Sequence, residues 1–278
     1  MNMRTIRNLS ILAAASVALL QPALAGDTLD RVMRKKVMIE VTDQAYPPFS
    51  QVNDKGEVVG YDIDVAREIG KRLGVEVKVE TPTWEIITAG RWKGRYDLCV
   101  CSMTPTEERK EVLDFIAEYY DASAVIVTNG DNVAVKSAAD LNGKRVGVEA
   151  STTYEKYLNK NLSIPGAKQQ PAFPFESVQI KPYESEVMAF QDLGLGDGKR
   201  LDAIVANYVT AKDQVDKSDG KFKIVGEPVF HEPIWISADK DDAEWNAKIK
   251  EIVAEMIKDG TLAKLSEKWL GADLSPKS

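Results

Sequence analysis

Residues Gly60 to Leu73 read GYDIDVAREIGKRL. Ile63, Ala66, Ile69, Gly70 and Leu73 recur on one face at helical spacing, so the stretch predicts an amphipathic helix. Val75 to Val79 follows as a strand, and Val58-Val59 leads in from the other side. Working outward, Lys36 to Val41 reads as a strand and Thr42 to Ser50 as a loop. Trp84 to Trp92 reads as a helix and Asp97 to Ser102 as a strand. Strands alternating with helices predict an α/β domain with a parallel sheet. Ligands of such sheets sit beyond the C-terminal ends of the strands. The loops at Thr42–Tyr46 and Ser102–Arg109 both fall there.

Ala122 to Thr128 is a β-branched run closed by the polar break Asn129-Gly130-Asp131. The pattern then restarts. Strands are expected at Lys144–Val148, Ser177–Pro182, Asp202–Ala206 and Phe222–Val225. Helices are expected from Ser151 onward and over Ser185–Leu195. Pro228 to Ala238 is a second apolar crossing, and Glu244 to Leu270 is helical with Ile249, Ile252, Met256 and Leu262 in register. Ile164 to Phe175 carries three prolines without periodicity and reads as a surface loop. Two α/β units with two extended crossings predict two lobes joined by a pair of strands, with a ligand cleft that closes by a hinge.

The first 25 residues read as a cleaved export signal: Arg4 and Arg7, an apolar Ile11–Leu20, then Ala23-Leu24-Ala25. The apolar run is too short to span a membrane. Cleavage leaves 253 of the 278 residues, ample for two lobes. The leader holds two of 36 basic residues and none of 43 acidic ones, so the formal charge of −7 becomes −9. An acidic chain of this kind argues against nucleic-acid or anionic-membrane binding. The single histidine, His231, argues against a histidine-based metal site or triad. Cys99 and Cys101 share one face of an extended strand, with Cα atoms about 7 Å apart, the edge of disulfide reach. They are expected to be separate, buried thiols.

Cys101 to Arg109 reads CSMTPTEER at the end of a strand. Two readings stand. In one, Thr106 caps a short helix, Glu107 and Glu108 favour its first turn, and Arg109 is solvated. In the other, Ser102, Thr104 and Arg109 present hydroxyls, backbone N–H groups and a planar guanidinium fork to a small carboxylate.

Several segments, in order, resemble the polar amino-acid family of periplasmic solute-binding proteins, the receptors of ABC importers. They are Gly60–Leu73, Tyr46-Pro47-Pro48-Phe49, Met103–Arg109 with Asp114-Phe115, and Gly147–Tyr154. Leu201-Asp202-Ala203 and Lys268-Trp269-Leu270-Gly271 complete the set. The resemblance implies the two-lobe type II fold, with two hinge strands flanking the cleft. Lobe 1 would hold residues 26–127 and 230–278, and lobe 2 residues 128–229. It implies a periplasmic monomer that closes on one amino acid and docks on a membrane permease, with no cofactor, metal or catalytic residue. It assigns Arg109 to the ligand α-carboxylate, assisted by Ser102 and Thr104, with Thr152 donating from the second lobe. Tyr46 and Trp84 would flank the ligand, with packing in the lobe core as the alternative. Asp43, in the same loop as Tyr46, either meets the ligand's distal end or caps a turn. Asp62 and Asp64 read instead as acids satisfying free N–H groups at a helix start.

One position departs from the family pattern. An aspartate that neutralises the ligand ammonium is expected a few residues after Asp202-Ala203, and Asn207 stands there. An amide accepts a hydrogen bond but carries no counter-charge, and a buried unpaired ammonium costs several kcal/mol. Three explanations follow: an N-substituted or opine-like ligand, a counter-charge from Glu149, Glu184 or Asp43, or a shifted alignment. A dehydratase acting on prephenate-like acids, with Glu149 as its acid, is the competing function on this fold.

Overall fold

The computed structural model describes residues 27–277 other than position 168. The expected export signal lies outside the described residues. The chain begins with α1 (Thr28–Lys35) and β1 (Val37–Val41), then β2 (Gln51–Val52), β3 (Val58–Val59), α2 (Tyr61–Leu73) and β4 (Glu76–Glu80). α3 (Trp84–Thr88), β5 (Cys99–Met103) and α4 (Glu107–Lys110) follow. Parallel pairing of β1 with β4, and a parallel bridge from Glu40 to Leu98, build the first sheet region. α2 is held at its start by Gly60, whose φ of 145° favours glycine. A β-carbon there would lie 2.1 Å from the Phe49 carbonyl oxygen. The helix ends on Gly74 in the left-handed conformation, with its N–H bonded to the Gly70 and Lys71 carbonyls.

β6 (Leu113–Asn129) leaves this lobe. It is followed by a 3₁₀ turn, β7 (Arg145–Glu149), α5 (Thr153–Leu158), β8 (Gln179–Tyr183), α6 (Glu186–Leu193), β9 (Ala203–Asn207) and α7 (Tyr208–Asp216). β10 (Phe222–Asp239) returns to the first lobe, where α8 (Ala243–Lys258) and α9 (Thr261–Leu270) complete it. One six-stranded sheet, in the order β5-β10-β6-β9-β7-β8, runs through both halves. β6 and β10 are antiparallel along almost their whole length, with register shifts between Val225 and Phe230 and between Ile234 and Trp235.

The cores divide along those two strands. Tyr61, Ile69, Tyr119, Tyr120, Ala122, Ile234, Trp245 and Met256 belong to one cluster. From Ala124 the side chains of β6 alternate: Ala124 and Ile126 join Val146, Tyr157 and Phe230, while Val125 and Val127 join Phe190, Leu193 and Ile204. The period-2 alternation of a strand thus feeds two cores on opposite faces of the second lobe.

Several expected elements are corrected. The run expected at Ala122–Thr128 starts at Leu113, and the two strands expected between Phe222 and Ala238 are one bulged strand. The helix expected to reach Trp92 ends at Thr88. The chain there passes through left-handed Gly90, Arg91, Lys93 and Gly94, and Asp239 accepts from the N–H groups of Trp92 and Lys93 at 2.8 and 2.7 Å. The C-terminal helix is two helices, broken by left-handed Gly260.

Cys99 and Cys101 are not separate thiols but a disulfide, with Cα atoms 5.2 Å apart. The expected 7 Å assumed an extended strand. Cys99 and Met103 of β5 oppose Ser237 and Trp235 of β10, so β5 carries extra residues in a bulge that shortens the separation.

Gly60→Ala is expected to destabilise the protein by more than about 2 kcal/mol, because the added carbon meets backbone rather than a movable side chain. Denaturant unfolding reads this directly, and an unchanged midpoint would refute the backbone constraint.

Candidate functional site

Tyr119 and Ser102 anchor the floor of the cleft. Asp62, fully buried on α2, accepts from the Tyr119 hydroxyl and from Ser102 Oγ, each at 2.7 Å. Ser102 Oγ in turn accepts from the Tyr120 hydroxyl at 2.8 Å, and the Ser102 N–H donates to Tyr119. Asp62 therefore does not serve the helix N-terminus, as was expected, but holds the end of β5, from which the loop to Arg109 departs. Asp64 turns the other way and accepts from Trp269 Nε1 at 2.8 Å. Burial raises the Asp62 carboxyl to about 7, against the two hydroxyl donors that favour its ionised form.

That loop delivers Arg109. Thr106 caps α4, its side chain accepting from the Arg109 N–H at 3.2 Å. The cap of the first reading is present, but Arg109 is not solvated as that reading expected: it is 4% exposed. Its guanidinium lies 5.3 Å from the Trp84 ring centroid. Nη1 donates to the Thr104 carbonyl at 2.9 Å and Nη2 to the Ser151 carbonyl at 3.0 Å. No ion pair joins Arg109 to a carboxylate among the described residues. Burial lowers its pKa to about 10, which leaves it cationic at neutral pH.

The second lobe closes over this floor. Trp84 Nε1 also donates to the Ser151 carbonyl, at 3.3 Å, and the hydroxyls of Tyr46 and Tyr154 meet at 3.3 Å. Thr210 Oγ1 donates to the Pro47 carbonyl at 2.9 Å, and Lys156 pairs with Glu108 across the mouth. The cleft pocket that these contacts bound has roughly 400 Å³ of non-atom space, part of it open to solvent.

Seven of the eight expected ligand residues line it: Asp43, Tyr46, Trp84, Ser102, Thr104, Arg109 and Thr152. Thr152 caps α5, with its hydroxyl donating to the Glu149 carbonyl at 2.7 Å. Asn207 is outside the lining set. Its Oδ1 caps α7 by accepting from Val209 N–H at 2.8 Å, and its Nδ2 is buried without a partner.

Acids crowd the cavity. Glu149 lines it beside Asp43 and Glu186, and burial together with these two neighbours pushes its carboxyl well up. Asp43 is raised by burial, partly offset by the Ala45 N–H. Glu232, on β10, is the lining acid that the sequence reading missed. It is 1% exposed, and its Oε2 accepts from Thr104 Oγ1 at 2.6 Å and Thr153 Oγ1 at 2.8 Å. The available signal was a charge inside an apolar crossing, Val229-Phe230-His231-Glu232-Pro233-Ile234.

The sequence matches bacterial extracellular solute-binding proteins, family 3, over residues 38–272. The chain belongs to this family. It is 30% identical over 270 residues to the L-cystine-binding protein TcyJ of Escherichia coli strain K12, covering 96% of each. A mutant of ArgBP from T. maritima superposes with a TM-score of 0.77 at 29% identity, covering 88% of this chain and 99% of that one. The ancestral amino acid-binding protein AncCDT-1, a precursor of cyclohexadienyl dehydratase, gives 0.75 at 32%, covering 87% and 99%. The fold is the two-lobe type II binding-protein fold of these family 3 neighbours. No helix among the described residues is long and apolar enough to cross a membrane.

The raised Asp62 carboxyl sets a pH dependence. A group whose folded pKa lies above its unfolded value contributes stability fully present below the unfolded value, near 4, and lost as pH rises through the folded one, about 7. Wild type should therefore lose roughly 2–4 kcal/mol relative to Asp62→Asn between pH 4 and 8. Unfolding curves of both proteins across that window test this; a constant difference between them rejects it.

Proposed function

We propose that this protein is the periplasmic ligand-capturing component of an ABC importer, and that it binds an amino acid or amino-acid derivative through its carboxylate. The observation that carries this reading is the buried Arg109 guanidinium lining the cleft pocket, with carbonyl partners and, among the described residues, no paired carboxylate. A buried cation of this kind is favoured by a charged oxygen pair arriving with the ligand. Family membership, and the amino-acid ligands named for the relatives, point the same way.

Capture begins on the first lobe, where Arg109, Trp84 and the Ser102–Thr104 loop are held by Asp62 and the tyrosines. The second lobe then closes, bringing Ser151, Thr152 and Tyr154. The hinge lies where β6 and β10 pass between the cores, near Ala122–Ala124 and Phe230–Ile234. The Asp43 and Glu149 side receives the ligand's distal end, which suits a hydrogen-bond donor or cation. The closed form docks on a permease as a monomer.

Arg109→Lys keeps the charge but loses the fork, and Arg109→Ala loses both. Calorimetry against the tightest binder among the twenty common amino acids and L-cystine should show affinity falling more than tenfold for the first. It should fall roughly 100-fold or more for the second. Unchanged affinity in Arg109→Ala would remove the carboxylate reading.

One observation favours a second reading. Glu149 is a buried carboxylic acid facing the cavity with its pKa pushed up, as a general acid requires, and AncCDT-1 is described as a precursor of a dehydratase. We expect no turnover of prephenate or arogenate. Product formation that disappears in Glu149→Gln would make the protein an enzyme.

A further inference from the structure

The cavity holds a cation and an anion that face each other without pairing. Arg109 is 4% exposed and Glu232 is 1% exposed, both line the cavity, and no ion pair joins them among the described residues. Thr104 stands between them. Its carbonyl accepts from Arg109 Nη1 at 2.9 Å, and its hydroxyl donates to Glu232 Oε2 at 2.6 Å. One residue therefore fixes the spacing of two opposite charges. That spacing suits a ligand whose own opposite charges sit on a single carbon.

We infer that the Glu232 carboxylate is the counter-charge for the ligand's ammonium group, as Arg109 is for its carboxylate, so that the cavity selects a free α-amino acid over its desamino and N-acylated forms. This rests on the proposed amino-acid reading and deepens it. Asn207 does not fill the role: its Oδ1 is committed to the start of α7, and the buried Nδ2 without a partner is a donor, which repels an ammonium. Asp43 and Glu149 lie against each other in a contact that raises the Glu149 carboxyl and lowers that of Asp43, and Asp43 also accepts from the Ala45 N–H at 2.6 Å, so this pair is engaged with itself. They leave Glu232 as the acid with hydroxyl donors to its carboxylate from both lobes, Thr104 from the first and Thr153 from the second. Those donors and Arg109 oppose the effect of burial on its carboxyl. Because Glu232 sits on a hinge strand and bonds to both lobes, an ammonium held there also stabilises closure.

The test uses the full mature chain and the isosteric Glu232→Gln, which keeps an acceptor for Thr104 and Thr153 but removes the charge. The probe is the tightest binder to wild type among the twenty common L-amino acids and L-cystine, paired with its 2-desamino analogue. The expected result is that Glu232→Gln binds the amino acid at least ~50-fold more weakly, while affinity for the desamino analogue changes less than threefold. Equal losses for both compounds would make Glu232 a structural residue and overturn the inference, with the carboxylate reading intact. Wild type binding none of the amino acids would overturn the amino-acid reading, and this inference with it. Should Glu232→Gln fail to fold, carbon-13 NMR of the Glu232 carboxyl in wild type carries the test. Its titration midpoint should fall by at least one unit with the amino acid bound and not with the analogue; an unmoved midpoint overturns the inference.

Discussion

Both lobes hang on the antiparallel pairing of β6 with β10. These strands pass from one core to the other without a break, so the backbone hydrogen bonds of the crossing are satisfied inside the ladder itself. A loop in the same place would have exposed backbone groups at the floor of a closed cleft. A two-strand ribbon bends and twists more readily than a wide sheet, and the register shifts at Val225/Phe230 and Ile234/Trp235 flank the crossing. The cleft, its closure and the placement of Glu232 all follow from this ribbon.

The cleft concentrates charge where water is scarce. One guanidinium faces Glu232, Glu149 and Asp43, and burial raises all three acids. Such groups cannot all be ionised when buried together without large desolvation cost. The chain tolerates the arrangement because donors are fixed around it: Thr104 and Thr153 on Glu232, the Ala45 N–H on Asp43, and the carbonyls of Thr104 and Ser151 on Arg109. Asp62 extends the same logic one layer down. It is a buried acid that fixes Ser102 at the end of β5 and Tyr119 on β6.

Much of this was legible in order. The helix at Gly60–Leu73 carries its apolar face and both of its end signals locally, so periodicity was enough. That the segment after β5 lines the cleft was legible, because hydroxyls and an arginine fall within eight residues of one strand end. Glu232 was not legible: it lies 128 residues from Thr104, and a single acid in an apolar strand has no local signature. The disulfide was missed for a related reason. The bulge that brings Cys99 and Cys101 together depends on the pairing of β5 with β10, not on either cysteine.

The sequence by itself determined the alternation of helices and strands, the two-lobe plan and the arginine that lines the cleft. These rest on interactions between residues close along the chain, where spacing alone decides which side chains share a face. Only the tertiary structure decided which acids face Arg109, that Asn207 turns away to cap a helix, and that Asp62 supports β5 and β6 rather than its own helix. Those outcomes depend on which distant strands pair and in what register, and a shift of one residue in β10 would have pointed Glu232 to the opposite face.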